Sequence, residues 1–323
     1  MAYLTAIFTT LKSLFKQFQK SRKNRVVKAV IGITKPQFYQ LLSAFESAYC
    51  SVQQGRLERG EIKRIPKGGP KSHLDGFEIK LFFILYYLKT YCTFDVLGTH
   101  FSLSGGNAHR HLMRLLPVLE LALENLNVLP KNTIKTLDEL KQLIDSTGII
   151  LIDGVECACV RPQDKEKQKA YYSGKKKRHT VKPLVASTTT KFILFVSLIA
   201  PGSTHDYNLM KKLFDPAMPW FDDIKVFLDL GFLGAAKDYG SQAKIHLPHK
   251  KPRKSKANPS PELTASQKKE NKAHAAIRVA VEHAIGGMKH FHCLMHRIRN
   301  HLDTIINSFF RLSAGLWNLK ITV

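Results

Sequence analysis

The chain has 323 residues, 44% of them apolar, which is enough to fill the cores of about two globular domains. Its 50 lysines and arginines outnumber its 25 aspartates and glutamates, giving a formal charge of +25 at pH 7. Such a surface attracts polyanions, so DNA, RNA and anionic membranes are the candidate partners.

The apolar stretches are too short to predict a membrane span. The longest, over residues 81–88 and 192–201, fall well short of the roughly 20 residues that a spanning helix needs. Residues 1–20 place their large apolar side chains on one helical stripe, without the charged leader of a signal peptide. This pattern predicts a packed helix, and a helix bound to a membrane surface is the alternative.

The five cysteines are too scattered for a disulfide framework, and an odd count suits a reducing compartment. Cys157 and Cys159 are separated by one residue, whereas a zinc knuckle has two between its ligands. We interpret both as small buried or edge residues of a strand.

Up to about residue 145 the pattern is helical. Thr34 and Pro36 provide a cap and a first turn for the first clear helix, and a glycine- and lysine-rich connector over 54–72 follows it. The apolar periodicity predicts helices over residues 37–49, 77–91, 93–101 and 107–123.

The last three of these helices have the order of a helix-turn-helix. A glycine-containing turn precedes the final helix, which begins polar and basic and would present its first residues to the major groove of DNA. The candidate base- or phosphate-contacting residues are Asn107, His109, Arg110 and Arg114. An ordinary helical hairpin has the same local pattern and is the alternative.

From about residue 147 the period changes to that of strands. Runs rich in β-branched residues predict strands over residues 148–153, 156–160, 178–187, 191–200, 224–230 and 243–248. A helix is expected from Ser203 or Thr204, which gives a mixed sheet of α/β type. Residues 249–272 predict a mobile basic loop, at least in their first half. A long helix capped by Thr264 or Ser266 and a final helix over 301–321 complete the chain. The expected domains are a helical DNA-binding domain over 1–145 and a catalytic domain over 146–323.

Three acidic residues stand out in the second half. Asp153 and Asp229 each end an apolar strand, where ligands bind in open sheets, and Glu282 lies on the long helix. Arg278 and Lys289 share the face of Glu282 at 100° per residue. The ordinary alternatives are strand-ending aspartates and a surface ion pair between Arg278 and Glu282.

Three converging carboxylates would hold two divalent cations, because hard oxygen ligands suit Mg²⁺ or Mn²⁺. Two such ions activate an attacking hydroxyl and stabilise the leaving oxygen of a phosphodiester. Arg278 and Lys289 would then neutralise the phosphate. The pattern therefore predicts metal-dependent phosphoryl transfer on a nucleic acid.

At this point the motifs LIDG (151–154), YYSGKKKRHTVK (171–182), PGSTHD (201–206), LDLGFLG (228–234) and RVAVEHAIGGMK (278–289) can be taken together. In this order the chain resembles the DDE transposases of bacterial insertion sequences, in the branch related to the PIF/Harbinger nucleases. The resemblance implies a ribonuclease-H-like fold, preceded by a helix-turn-helix, with Asp153, Asp229 and Glu282 as its acid triad.

The family signature Tyr-x2-Arg-x3-Glu-x6-Lys maps onto Arg278, Glu282 and Lys289, but Ala275 stands at the tyrosine position. That departure puts one phosphate or base contact in doubt. Leu230 and Phe232 replace the basic residue and the tyrosine that are common after the second aspartate.

His205 and Asp206 are also a family feature. We expect them to have a structural role or to support the metal ligands, because an aspartate at a helix start is a natural cap partner, and catalysis by Asp206 is the alternative. The charge run Lys175, Lys176, Lys177 and Arg178 is expected to contact DNA, with a solvated hairpin as the alternative.

The resemblance implies a transposase that binds the terminal inverted repeats of its element, nicks the 3′ ends and joins them to target DNA, as a homodimer or larger assembly. We expect it in the cytoplasm, associated with the nucleoid. Three alternatives remain: a transposase-derived DNA-binding protein without catalysis, another ribonuclease-H-like nuclease, and a membrane-associated basic protein.

Overall fold

The computed structural model describes residues 14–65, 73–240, 243–256 and 258–322. The chain forms two compact units: residues 1–129, 288–296 and 308–323 make up the first, and residues 130–287 and 297–307 make up the second. The domains expected from the sequence, 1–145 and 146–323, have other bounds than these units. Two C-terminal segments belong to the first unit, and residues 130–145 belong to the second.

The first unit is helical. Its long helices and their bounds are α1 (Asn24–Ile31), α2 (Lys35–Glu58), α3 (Phe77–Thr90), α4 (Phe94–Phe101) and α5 (Gly105–Asn125). Residues 14–20 are also helical, and the rest of the predicted N-terminal helix lies outside the described residues. Thr34 caps α2 and Pro36 lies in its first turn, as the sequence indicated, and the Gln37 side chain completes a reciprocal cap. The helix extends to Glu58 and takes in the start of the predicted connector.

Aromatic side chains fill the core of the first unit. Phe82 and Phe83 of α3 pack against Phe101 of α4, with ring centroids 6.0 and 4.9 Å apart. Phe309 packs on Tyr87 and lies 5.9 Å from the ring of Tyr91. These contacts explain why the end of the chain belongs with the N-terminal helices.

The second unit contains a mixed sheet with flanking helices. Its elements in chain order are α6 (Leu137–Leu143), β1 (Ile149–Gly154), β2 (Cys157–Ala158), α7 (Lys165–Tyr171), β3 (Tyr172–Ser173), β4 (Arg178–Lys182), β5 (Leu184–Ser187), β6 (Ile193–Val196), β7 (Ala200–Pro201), α8 (Asp206–Leu213), β8 (Lys225–Phe227), α9 (Ala235–Asp238), β9 (Ile245–His246) and α10 (Ala265–Met288). The helices α11 (His292–Met295) and α12 (Asp303–Ile321) follow.

The main sheet has the strand order β6-β5-β1-β8-β9. β1 is antiparallel to β5 and parallel to β8, and β9 continues parallel to β8. A smaller sheet joins β2, β4 and β3, with β7 also paired to β4. The predicted fold class is confirmed: a helical N-terminal region is followed by a mixed α/β unit consistent with a ribonuclease-H-like fold.

The long helix α10 begins at Ala265, so the last third of the predicted basic loop, residues 265–272, is helical. Thr264 accepts a hydrogen bond from Gln267 N at 3.2 Å, and the Gln267 side chain accepts one from Thr264 N at 3.0 Å. This reciprocal cap confirms Thr264 as the start of the helix. It fixes the register of the helix that carries Arg278 and Glu282.

Candidate active site

Two aspartates lie at the carboxyl ends of neighbouring strands. β1 and β8 run parallel, with Leu151 paired to Phe227. Asp153 stands next to the end of β1, and Asp229 follows β8 by two residues. Because parallel strands end at the same edge of a sheet, both carboxylates reach the same crevice. They are close enough for the negative charge of Asp229 to raise the pKa of Asp153.

Asp153 is held by two hydrogen bonds in a largely buried position. Its Oδ1 accepts from the backbone N–H of Gly154 at 2.8 Å, and its Oδ2 accepts from Nη2 of Arg278 at 2.9 Å. Burial raises the pKa of Asp153 to about 6 against the opposing attraction of Arg278, and the charges of Asp229 and Asp206 add to the increase. A carboxyl group whose pKa is raised by burial and by like charges is typical of a functional site.

Asp229 is fixed by the turn that follows it. Its Oδ1 accepts from the backbone N–H of Gly231 at 2.8 Å and caps a short 3-10 helix over Leu230–Phe232. A Cβ on Gly231 would lie 2.8 Å from this oxygen and 3.5 Å from Oδ2 of Asp206. The glycine therefore leaves room for two carboxylates at this turn.

Asp206 belongs to the same group of acids. It is the first residue of α8, and its carboxylate lies close to the turn after Asp153. A Cβ on Gly154 would lie 2.8 Å from its Oδ1. The ammonium of Lys182 lies 3.0 Å from the same oxygen and donates its hydrogen bond to the Thr204 carbonyl at 3.0 Å. Asp206 Oδ1 is buried and receives no hydrogen bond of good geometry among the described residues.

Glu282 is not part of this group in the structure. It is exposed, one helical turn after Arg278 on α10, and it is Arg278 that reaches Asp153. In the described part of the chain, no three His, Cys, Asp or Glu side chains are arranged to hold a metal ion. The structure therefore brings Asp153, Asp229 and Asp206 together around Arg278 and leaves Glu282 outside.

Two further side chains at this site were not singled out from the sequence. Lys182 lies at the end of β4, where it reaches Asp206. His274 lies one helical turn before Arg278; its Nε2 is 3.2 Å from the carbonyl of His246, and burial lowers its pKa. The only sequence signals were the position of Lys182 at the end of a quoted motif and the four-residue spacing between His274 and Arg278.

The sequence of the chain matches a known family. The profile of the DDE superfamily endonucleases matches residues 152–318, and the profile of the helix-turn-helix of DDE superfamily endonucleases matches residues 72–125. The chain belongs to the DDE superfamily endonucleases. A relative from Microchaete diplosiphon, described as a probable transposase for insertion sequence element IS702, is 26% identical over 268 residues, covering 82% of this chain and 88% of the relative. No solved structure matches the chain.

Endonucleases of this superfamily use divalent metal ions. The donor chemistry of Asp153 and Asp229 fits such an ion, because hard cations take carboxylate oxygens. Burial is the largest cause of the raised pKa of Asp153, and the charges of Asp229 and Asp206 add to it against the attraction of Arg278. A bound cation would supply the missing positive charge.

The helix-turn-helix of this DDE endonuclease is formed by α3, α4 and α5. Ser104 caps α5 by accepting from Asn107 N at 3.2 Å. Asn107, His109, Arg110 and Arg114 are all exposed on the first turns of α5. Arg110 donates to Asn107 Oδ1 at 2.6 Å, and His109 packs edge-on against Phe94 at 4.9 Å. These side chains are thus accessible and partly ordered before any DNA is bound.

The basic hairpin lies between β3 and β4. Lys175, Lys176, Lys177 and Arg178 are exposed along it. Ser173 Oγ accepts from Lys176 N at 3.2 Å, and Lys177 adopts a left-handed backbone with φ 49°. α10 ends at Met288, and Lys289, which was expected to share the face of Arg278 and Glu282, is the next residue. His205 is exposed before α8 and makes no side-chain cap.

None of the helices within the described ranges is long and apolar enough to cross a membrane.

Proposed function

We propose that this DDE endonuclease is the transposase of an insertion sequence. It binds the terminal inverted repeats of its element, nicks the 3′ ends by hydrolysis and transfers them to target DNA. The observation that carries this proposal is the meeting of Asp153 and Asp229 beside Arg278, at the carboxyl ends of parallel strands, within the segment that matches the endonuclease family. The name of the relative from Microchaete diplosiphon supports the same reading.

The proposed metal ligands are Asp153, Asp229 and Glu282, holding two Mg²⁺ or Mn²⁺ ions. Bound ions would supply the positive charge that activates the attacking oxygen and stabilises the leaving one. Glu282 is four residues after Arg278, about 6 Å further along the same helical face. This spacing supports its joining the aspartates once DNA occupies the crevice.

Arg278 has two roles in this proposal. In the absence of DNA its guanidinium neutralises Asp153, and in the complex it binds the phosphate next to the scissile bond. Its Nε is buried without a hydrogen-bond partner among the described residues, so an unused donor remains for a phosphate oxygen. Asp153 must be deprotonated to act as a ligand, and Lys182 keeps the Asp206 carboxylate in place beside it.

We further propose that residues 1–145 provide DNA recognition and residues 146–323 the chemistry. Asn107, His109, Arg110 and Arg114 would contact the end sequence, and the hairpin of Lys175, Lys176, Lys177 and Arg178 would bind its backbone, together with Lys289. His205 and Asp206 would support the ligands. Two ends must be joined together, so a homodimer or larger assembly on DNA is expected, in the cytoplasm and associated with the nucleoid.

A second candidate is a DNA-binding protein that has lost catalysis. The exposed position of Glu282 and the absence of a three-acid metal group among the described residues favour it. Another ribonuclease-H-like nuclease, acting on RNA or branched DNA, differs from the transposase in its substrate.

A cleavage assay with Mg²⁺ separates these functions. Duplexes carrying the element ends, random duplexes, an RNA–DNA hybrid and a four-way junction are compared, with Asp153→Asn as the inactive control. A transposase nicks the end duplex at its 3′ ends and joins the product to a second DNA. Binding without nicking by the unmodified protein would establish the non-catalytic alternative, and preferred cleavage of the hybrid or junction would establish the other nuclease.

A further inference from the structure

A group of basic side chains lies inside the helical unit, away from any acidic residue of the segments that carry it. Its members are Lys28 of α1, Lys89 near the end of α3, His290 after α10 and Lys320 near the end of α12. No aspartate or glutamate occurs in residues 24–31, 85–92, 288–296 or 308–322. The positive charge of this group is therefore not balanced from within those segments.

Lys89 is the buried centre of the group. Only 5% of its surface is exposed, and its ammonium donates to the carbonyl of His290 at 2.7 Å and lies 3.5 Å from Nδ1 of the same residue. Burial lowers its pKa. A buried ammonium that is held only by neutral acceptors is costly, because a lysine is normally removed from water only when an anion is its partner.

Burial and the charge of Lys89 lower the pKa of both Lys320 and His290. Burial, followed by the charges of Lys28 and Lys89, lowers the pKa of Lys320 to about 8. Burial, followed by Lys320 and Lys89, lowers the pKa of His290 to about 4, with the Lys28 backbone opposing the decrease. His290 Nε2 is also buried and makes no hydrogen bond of standard geometry among the described residues.

We propose that Lys28, Lys89, Lys320 and His290 form a binding site for a phosphate group. A phosphate accepts several charged hydrogen bonds at once and would relieve the mutual repulsion of the lysines. Lys28 is exposed and Lys320 is half-buried, so the group is open to solvent on one side while Lys89 closes it.

The DNA backbone is the source of phosphate that fits the proposed function, and to that extent this inference rests on it. Lys89 belongs to the first helix of the helix-turn-helix segment. In such motifs the helix before the turn crosses the DNA backbone and the helix after it enters the groove. Here these helices are α4 and α5, and α3 packs directly against α4 through Phe82 and Phe83. A phosphate held at Lys89 would therefore set the register of α5 on the duplex without reading its sequence.

The first arm of the test uses inorganic phosphate. Thermal unfolding of the full-length protein is followed in chloride and in phosphate at equal ionic strength. The proteins are the unmodified chain, Lys89→Met, Lys320→Met and a matched control, Lys63→Met, at an exposed lysine outside the group. Phosphate should raise the Tm of the unmodified chain and of Lys63→Met, and the increase should be lost in the other two. Lys89→Met removes a buried charge but also the donor to the His290 carbonyl, so the less buried Lys320 provides an independent variant.

The second arm measures binding to a DNA duplex across a salt series. Loss of one phosphate contact reduces the slope of log Kobs against log salt by about 0.9. A smaller slope for Lys89→Met and Lys320→Met supports DNA as the source, and an unchanged slope with a lost phosphate effect supports the site with free phosphate as its ligand. The same Tm increase in all four proteins, or none in the unmodified chain, would overturn the proposal. If the unmodified chain fails to bind DNA, the proposed function fails while the first arm still decides on the phosphate site.

Discussion

Replacing Asp153 by asparagine should stabilise the fold while abolishing nicking. In the folded protein the pKa of Asp153 is about 6, above its ordinary value of 3.8, chiefly because the group is buried. The folded state therefore binds the proton more tightly, and the free energy of unfolding falls as the pH rises from about 4 to about 6. At pH 7 this decrease in the free energy of unfolding reaches its full value of about 3 kcal/mol.

Asparagine keeps the shape of the neutral acid and can still accept from Arg278. With its oxygen toward Arg278, the asparagine turns its NH2 group toward the Gly154 N–H, which is also a donor. The hydrogen bond from Gly154 is therefore lost, and that loss costs about 1 kcal/mol. The variant should therefore gain about 2 kcal/mol at pH 7 and lose up to about 1 kcal/mol at pH 4 and below, where Asp153 is protonated in the folded state. A gain in stability on removal of a functional group would identify the strain of the site directly.

Urea unfolding between pH 4 and pH 8 in the presence of a chelator measures this difference. Trp220 lies in the core of the second unit, and Trp317→Phe removes the other tryptophan, so fluorescence reports the second unit alone. The reasoning is refuted if the asparagine variant is no more stable than its parent at pH 7, or if the difference between them does not change with pH.

Three further predictions concern the ligands, the recognition helix and the glycine beside the acids. Glu282→Gln should reduce nicking by at least about a hundredfold with end binding retained, since a lost ligand weakens metal binding. The control variant Glu270→Gln, on the same helix, should nick normally. A nicking time course and a gel-shift titration measure both variants, and equal nicking rates would contradict the role of Glu282. Arg110→Ala should weaken binding to the end sequence more than to random DNA if it contacts a base, and equally if it contacts a phosphate; competition binding decides, and unchanged affinity would remove Arg110 from the interface. Gly154→Ala should cost about 1–3 kcal/mol in urea unfolding, because the new methyl group would press against Asp206, and an unchanged midpoint would contradict the close approach.

Local patterns accounted for most of the fold. The capping pair Thr34 and Gln37, the cap at Thr264 and the β-branched strands are decided by neighbours in sequence, so the helices and the main sheet could be predicted. The assignment of the chain's end to the first unit could not, because it depends on Phe309 meeting Tyr87 and Tyr91 across more than 200 residues.

The residues of the site could likewise be predicted only where neighbours in sequence decide their positions. The positions of Asp153 and Asp229 followed from strand ends, which the sequence marks clearly. The approach of Asp206 depends on the absence of side chains at Gly154 and Gly231, and the pairing of Lys182 with Asp206 depends on how β4 lies beside α8. Helical spacing placed Arg278 and Glu282 on one face, but it could not tell which of them would reach Asp153.

Anomalous diffraction from crystals of the protein with end DNA and Mn²⁺ tests the central claim most directly. We predict manganese peaks coordinated by the carboxylates of Asp153, Asp229 and Glu282, with Arg278 moved from Asp153 to a DNA phosphate. Manganese bound by Asp153, Asp229 and Asp206 while Glu282 remains in solvent, or no manganese at this crevice, would contradict the account.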